Sequence, residues 1–148
     1  MKTLYFLAFS LFVLSGCSFG GNLDRMNELK VVGQLKPSEE NQYHMYAYFD
    51  FPDGRIPVES EREKTEDENL QYQYEVYDTM NVELQLEKLH TFGVKKKEHA
   101  QEEIEVLNID TFPTFILLDN TGVLLQTSDM DEVDDYLRPI PSIEDRDT

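Results

Sequence analysis

The stretch Tyr43 to Phe49 sets the strongest limit on what this chain can fold into. Tyr43, Met45, Ala47 and Phe49 alternate with His44, Tyr46 and Tyr48, and both sets are largely apolar or aromatic. Alternation with a period of two places one set on each side of an extended chain. A strand that is apolar on both sides must be covered on both sides, which makes it a central strand. It runs into Asp50-Phe51-Pro52-Asp53-Gly54-Arg55, where proline, aspartate and glycine together mark a turn-rich loop.

The rest of the chain is arranged around that strand. Leu29, Val31, Val32 and Leu35 suggest a short strand that Pro37-Ser38-Glu39-Glu40-Asn41 breaks. Ser60 and Glu63 have the spacing of a capping box and predict a helix start, with Leu70, Tyr74 and Tyr77 as its apolar stripe. The same residues, Gln71 to Tyr77, also alternate as a strand would, and the cap favours the helix. Val82, Leu84 and Leu86 alternate with Glu83, Gln85 and Glu87, which predicts a strand with one wet face. After Phe92-Gly93, Lys95 to Asn108 reads as a helix burying Ala100, Ile104 and Leu107. Lys95-Lys96-Lys97 would then stand at the positive end of the helix dipole, so packing has to hold that helix. Thr114 to Leu118 and Val123 to Gln126, joined by Asp119-Asn120-Thr121-Gly122, predict a hairpin in which Gly122 can take a positive φ. Ser128-Asp129 opens a last helix with Met130, Val133 and Leu137 on one face, ended by Arg138-Pro139.

The resulting order is strand, helix, strand, helix, strand, strand, helix. Together with Phe112-Pro113-Thr114-Phe115-Ile116-Leu117-Leu118-Asp119 before Thr121-Gly122, it resembles the C-terminal half of the thioredoxin-like family, from about Lys95 to Leu137. The resemblance implies an α/β fold, a thioredoxin-like central sheet flanked by helices, and a cis peptide bond before Pro113. It further implies that the proline loop flanks the family's functional groove, where an extended peptide can pair. Asp50, Phe51, Asp53, Thr111, Phe112, Pro113 and Thr114 are therefore the candidate binding residues, with Thr111 and Phe112 facing the groove.

The chain also departs from the family. Redox members carry Cys-x-x-Cys after the first core strand, and here that place holds Asp50 to Arg55. Thiol–disulfide exchange needs one thiolate to attack and another to leave. Cys17 is the only cysteine, so no thiol redox activity is expected, and no catalytic residue is assigned.

The placement of Cys17 predicts where the protein resides. Lys2 followed by the uncharged run Leu4 to Leu14 has the n-region and h-region of a secretory signal peptide, and the run is too short for the roughly 20 residues that span a bilayer. Leu14-Ser15-Gly16-Cys17 at its end resembles a bacterial lipobox. That resemblance implies removal of residues 1–16, a thioether-linked diacylglycerol on Cys17 and a further acyl chain such as palmitate on its new amino group. The protein is then expected on the extracytoplasmic face of the cell membrane, or on the outer membrane of a two-membrane cell, since Ser18 rather than aspartate follows the cysteine. The plainer alternative is an ordinary secreted protein with a cysteine at that place. Residues 17–27 contain Gly20-Gly21 and are expected to form a flexible tether, 28–138 the domain and 139–148 a tail.

The formal charge is −17. Nucleic acid and anionic phospholipid headgroups are both bound through lysine and arginine, so nucleic acid is not an expected partner and repulsion is expected to hold the body off the membrane. No cofactor beyond the covalent lipid is expected, and no metal. His44, His90 and His99 are scattered, and His99 with Glu98, Glu102 and Glu103 lacks the further converging ligands that zinc needs. Asp129, Asp131, Glu132, Asp134 and Asp135 lack the loop pattern of a calcium site and read as a solvated helix start. Three functions remain open. The first is a binding or adaptor module for a protein or cell-envelope component. The second is a structural or peptidoglycan-associated envelope lipoprotein, and the third is an enzyme using carboxylates such as Asp50 and Asp53 instead of thiols.

Overall fold

A computed structural model describes residues 19–146 of the chain. The signal-peptide and lipidation assignments, Cys17 included, lie outside these described residues.

The elements follow in the order α1 (Phe19–Leu35), β1 (His44–Phe49), α2 (Glu59–Arg62), α3 (Glu68–Glu83), β2 (Thr91–Lys96), α4 (Gln101–Val106), β3 (Thr114–Asp119), β4 (Gly122–Thr127), α5 (Met130–Leu137) and α6 (Ile143–Arg146). The strands form one sheet in the order β2-β1-β3-β4. β2 runs parallel to β1, while β3 is antiparallel to β1 and to β4. A parallel β1–β2 pair, joined through a helix and continued by an antiparallel hairpin and a final helix, is the thioredoxin-like arrangement. The fold class expected from sequence is the one found.

The period-two pattern of β1 explains the layers. Met45, Ala47 and Phe49 join Phe115 and Leu117 of β3 beneath α3 and α5, where Tyr74, Val76, Met80, Val133 and Leu137 complete one core. Tyr48 joins Ile116 and Leu118 on the opposite face beneath α1 and α4, where Val31, Leu35, Ala100 and Leu107 complete a second core. Ala47 lies between Val94 of β2 and Phe115 of β3 in register, so β1 is central as its sequence requires.

Local chemistry sets the ends of the elements. Asp67 caps α3 by accepting from the Leu70 N–H at 2.9 Å, and Asp129 caps α5 by accepting from the Asp131 N–H at 2.9 Å. In the β3–β4 turn, Asp119 Oδ1 accepts from the Thr121 N–H, the Thr121 hydroxyl and the Gly122 N–H, and Gly122 adopts φ +148.

Several expectations are corrected. Leu29–Leu35 is not a strand but the end of α1, where Val31 and Leu35 are buried, and residues 19–27 of the expected tether are the helix's first turns. Only the carboxylate half of a capping box forms, two residues before Ser60. Glu61 accepts from the Val58 N–H at 3.2 Å, and the helix it opens lasts one turn before α3 begins at its own cap. Val82, Leu84 and Leu86 end α3 and enter a 3-10 turn, with Val82 pointing to solvent. The second strand is instead Thr91–Lys96, across the Phe92-Gly93 pair that reads as a break. Gly93 belongs there because the Tyr46 ring lies against it: a Cβ at Gly93 would stand 2.9 Å from Tyr46 Cδ1. The helix expected from Lys95 starts at Gln101, so Glu102 and Glu103 occupy its first turn and favour the dipole. The expected tail is docked as far as Arg146. Ile140 is buried, and Arg146 donates to the carbonyls of Asn41 at 2.6 Å and Lys88 at 2.5 Å.

Candidate functional site

The loop after β1 and the loop before β3 meet at the start of α3. The Asp50 N–H donates to Gln73 Oε1 at 2.8 Å, Gln73 Nε2 donates to Asn69 Oδ1 at 2.9 Å, and Asn69 Nδ2 donates to the Phe112 carbonyl at 2.8 Å. This relay ties the end of the central strand to the Phe112–Pro113 bond, which is cis as the family resemblance implies. Its middle member, Gln73, is only 2% exposed. A buried amide is tolerated when its hydrogen bonds are made, and both of its groups are engaged here.

Lys97 closes the arrangement from the other side. Its Nζ lies 2.6 Å from Asp50 Oδ2 and 5.2 Å from the centroid of the Phe112 ring. Both partners of the ion pair are nearly half exposed, at 48% and 42% of their side chains, so the pair contributes at most about 1 kcal/mol to stability and can exchange partners with solvent or a ligand. The Phe112 ring is half-buried. The edge thus presents an aromatic ring, a cation and a carboxylate side by side, a set able to take an apolar side chain and a polar backbone or charged group together.

The other candidate residues are distributed around this edge. Asp50, Asp53, Asp67 and Asn69 share a hollow of about 400 Å³ beside Pro52 and Gln73. Asp53 stands exposed at the tip of the turn with φ +55, and Gly54 follows at φ +59 with its α-carbon against the Glu98 carboxylate. A side chain at Gly54 would therefore meet both strain and Glu98. Thr111 and Thr114 line a different hollow, of about 310 Å³, shared with Gln126, Thr127 and Ser128. Thr114 is buried and donates to the Thr111 carbonyl at 2.7 Å, and Pro113 is buried beside it.

Phe51 is chiefly a core residue. It is 5% exposed and faces the core, stacked 5.1 Å from Phe49 and 5.6 Å from Tyr74, with Tyr77 edge-on at 5.7 Å. The alternation of β1 continues past its last ladder residue, and Phe51 is the next side chain on the Met45, Ala47, Phe49 face. It anchors the loop in the core and also borders the hollow shared by Asp50, Asp53, Asp67 and Asn69.

The outer rim is braced by charge. Arg55 holds Glu61 in a two-pronged pair at 2.7 and 2.8 Å, which keeps the Glu61 carboxyl below the usual carboxylate range. Arg62 bonds Asp78 at 2.5 Å and covers the Tyr74 ring at 5.3 Å. Burial raises the Tyr74 phenol above its ordinary value, with Arg62 pulling the other way.

Sequence reasoning did not single out Lys97, Asn69 or Gln73 as site residues. Lys97 was hidden in a lysine run assigned to a helix. Asn69 and Gln73 carried a usable signal: polar residues four apart at a helix start, with Gln73 beside the buried Tyr74. Among the described residues no group of three or more His, Cys, Asp or Glu side chains is arranged to hold a metal ion, and no helix is long and apolar enough to cross a membrane.

No protein-family model matches the chain, and no curated protein matches it. Among solved structures, it is similar to Malassezia sympodialis thioredoxin (Mala s 13), described as a member of a pan-allergen family. The sequence identity is 12%, covering 72% of this chain and 80% of that one, with a TM-score of 0.42. It is also similar to a designed protein at 19% identity, covering 80% of this chain and 84% of that one, with a TM-score of 0.32.

Proposed function

We propose that this chain is a lipid-anchored extracytoplasmic lipoprotein, acylated at Cys17, whose thioredoxin-like domain is a binding module without redox chemistry. The observation that carries the binding role is the grouping of the half-buried Phe112 ring with the exposed Asp50–Lys97 pair, held together by the Asn69–Gln73 relay. A rigid edge offering one ring and two opposite charges suits a segment of a protein or an envelope component, because a partner's apolar side chain can cover Phe112 while its polar groups replace solvent on Asp50 and Lys97. The loop after β1, which holds the thiols in redox members of the family, supplies Asp50 and a core phenylalanine here. Membrane anchoring is supported by the Leu14-Ser15-Gly16-Cys17 sequence directly after an apolar run.

Crosslinking of the lipidated protein in intact cells, with Phe112→Ala and Lys97→Ala as controls, tests the binding role. Capture of one partner that both substitutions abolish is the expected result. Capture indifferent to both would favour a structural envelope role. Loss of a substrate-converting activity on Asp50→Asn or Asp53→Asn, with folding intact, would favour the carboxylate enzyme.

A further inference from the structure

We infer that α1 lies flat on the membrane surface, with Leu23, Met26 and Leu29 inserted among the lipids, so that the domain is seated on the bilayer rather than suspended from it. This placement rests on the acylation of Cys17 proposed above.

The three side chains are 59%, 65% and 66% exposed, although each is large and apolar. Spaced three apart, they form one stripe about 9 Å long on a helix that rises 1.5 Å per residue. The opposite side of α1 is already occupied: Val31 and Leu35 are buried against the sheet with Tyr48, Ile116 and Leu118. The stripe therefore faces away from the domain. Around the helix Arg25 lies just beyond Leu29 at one edge of the stripe, and Lys30 falls between Met26 and Leu23. The two acids of the helix, Asp24 and Glu28, lie with Arg25 along the hollow shared with Glu102 and Glu105 of α4. An apolar stripe whose arc holds a base and no acid suits a helix that lies in a membrane interface.

Position and charge select lipid as the occupant. α1 begins at Phe19, two residues after Cys17. Standing upright, the helix would lift Leu29 about 15 Å above Phe19, beyond the headgroup boundary; lying flat, it brings all three side chains to one depth. The chain as a whole carries −17, yet α1 holds two acids and two bases. Every other helix among the described residues carries a net negative charge. α1 is thus the helix that an anionic headgroup surface does not repel. Lys30 also pairs with Glu102 at 2.9 Å, an exposed contact that a phosphate can replace.

The test uses the full lipidated protein in vesicles of phosphatidylethanolamine and phosphatidylglycerol. A polarity-sensitive fluorophore is placed on Met26→Cys or, as reference, on Val82→Cys at the 86% exposed end of α3. Cys17 takes no label because its thiol is acylated, and mass spectrometry of the same sample reads the acyl groups. Brominated lipid is expected to quench most of the emission of the Met26 probe and to leave the Val82 probe unchanged. A Met26 probe no more quenched than the Val82 probe, on acylated protein, overturns the flat placement and leaves the anchor standing. Disulfide-linked dimers through Met26→Cys would assign the stripe to a second copy of the chain and likewise overturn it. Absence of acyl groups on Cys17 would overturn the anchor and this placement together.

Discussion

The side-chain amide of Asn69 donates to the backbone carbonyl of Phe112 at 2.8 Å, and 43 residues separate the two in sequence. Through Gln73 the same amide reaches the Asp50 N–H, so one turn of α3 fixes the distance between the two loops of the candidate site. Replacing Gln73 by Ala leaves the Asp50 N–H and Asn69 Oδ1 without these partners, at a cost of about 1–3 kcal/mol. Asn69→Ala, at a more exposed position, is expected to cost about 1 kcal/mol while loosening the Phe112 loop. Urea unfolding measures both costs. Partner capture should fall in Asn69→Ala by more than its stability loss explains, because the ring and the charge pair would no longer share one orientation. Unchanged capture would separate the relay from function.

The two phenylalanines of the candidate site predict opposite outcomes. Phe51 is packed among Phe49, Tyr74 and Tyr77, so Phe51→Ala removes a core ring and is expected to cost about 3–5 kcal/mol. Phe112 is half-buried at the edge, and Phe112→Ala is expected to cost about 1 kcal/mol, in keeping with partial burial. Unfolding midpoints should therefore separate the variants widely. Capture at a temperature where both remain folded should be lost in Phe112→Ala alone.

Tyr48 gives the fold a pH dependence on its alkaline side. Its hydroxyl donates to Glu103 Oε2 at 2.6 Å, and Lys95 bonds the other oxygen at 2.5 Å. Burial, then the hydrogen bond and the charge of Glu103, push the Tyr48 phenol far above its ordinary value, and burial raises Tyr46 as well. Below pH 10 the phenol is protonated in both the folded and the unfolded chain, and its contribution is whole. Above about pH 10 the unfolded chain releases a proton that the folded chain keeps, so stability falls by up to about 1.4 kcal/mol per pH unit for each such group. Tyr48→Phe should be less stable than the parent at pH 7 by about 1.5–3 kcal/mol, since it loses a bond to a carboxylate. The gap should narrow between pH 10 and pH 11. Urea midpoints across that range decide the matter, and a constant gap would remove Tyr48 from the alkaline transition.

What could be read from the sequence depended on whether a residue's environment was set by its near neighbours. The double alternation of β1, the Asp119 to Gly122 turn and the Asp129 cap are local, and each appeared where expected. β2 did not, because its length is interrupted by Gly93, and the reason for that glycine is the Tyr46 ring on the next strand. The lysines that mimic a helix start are held by distant acids: Lys95 by Glu103, and Lys97 by Asp50. α1 was hidden for a related reason. Its outer face is apolar and its inner face is filled only near its end, so the helical period is blurred. At the site, Asp50 and Phe112 were legible through a family pattern, whereas Lys97, Asn69 and Gln73 join them only once the chain has folded.

Lys88 yields a final prediction, about the C-terminal segment. It is 8% exposed, and its ammonium donates to the carbonyls of Leu137 and Arg138 at 2.8 Å each. These groups are at the end of α5, where carbonyls lack partners within the helix and a cation is favoured. The backbone carbonyl of Lys88 in turn accepts from Arg146, whose guanidinium also lies 5.1 Å from the centre of the Tyr43 ring. Lys88 and Arg146 thus hold the segment from Arg138 to Arg146 at both ends. Lys88→Met keeps the apolar stem but removes the partner of the Arg138 carbonyl and leaves the Leu137 carbonyl only the Ile140 N–H at 3.0 Å, at an expected cost of about 1.5–3 kcal/mol. Arg146→Ala, nearer the end of the chain, should cost about 1 kcal/mol. Because either change frees the same segment, the double variant should cost less than the sum of the two, with a coupling of at least about 0.5 kcal/mol. Strict additivity in urea unfolding would mean that the two contacts act independently and that α5 keeps its end without the segment beyond it.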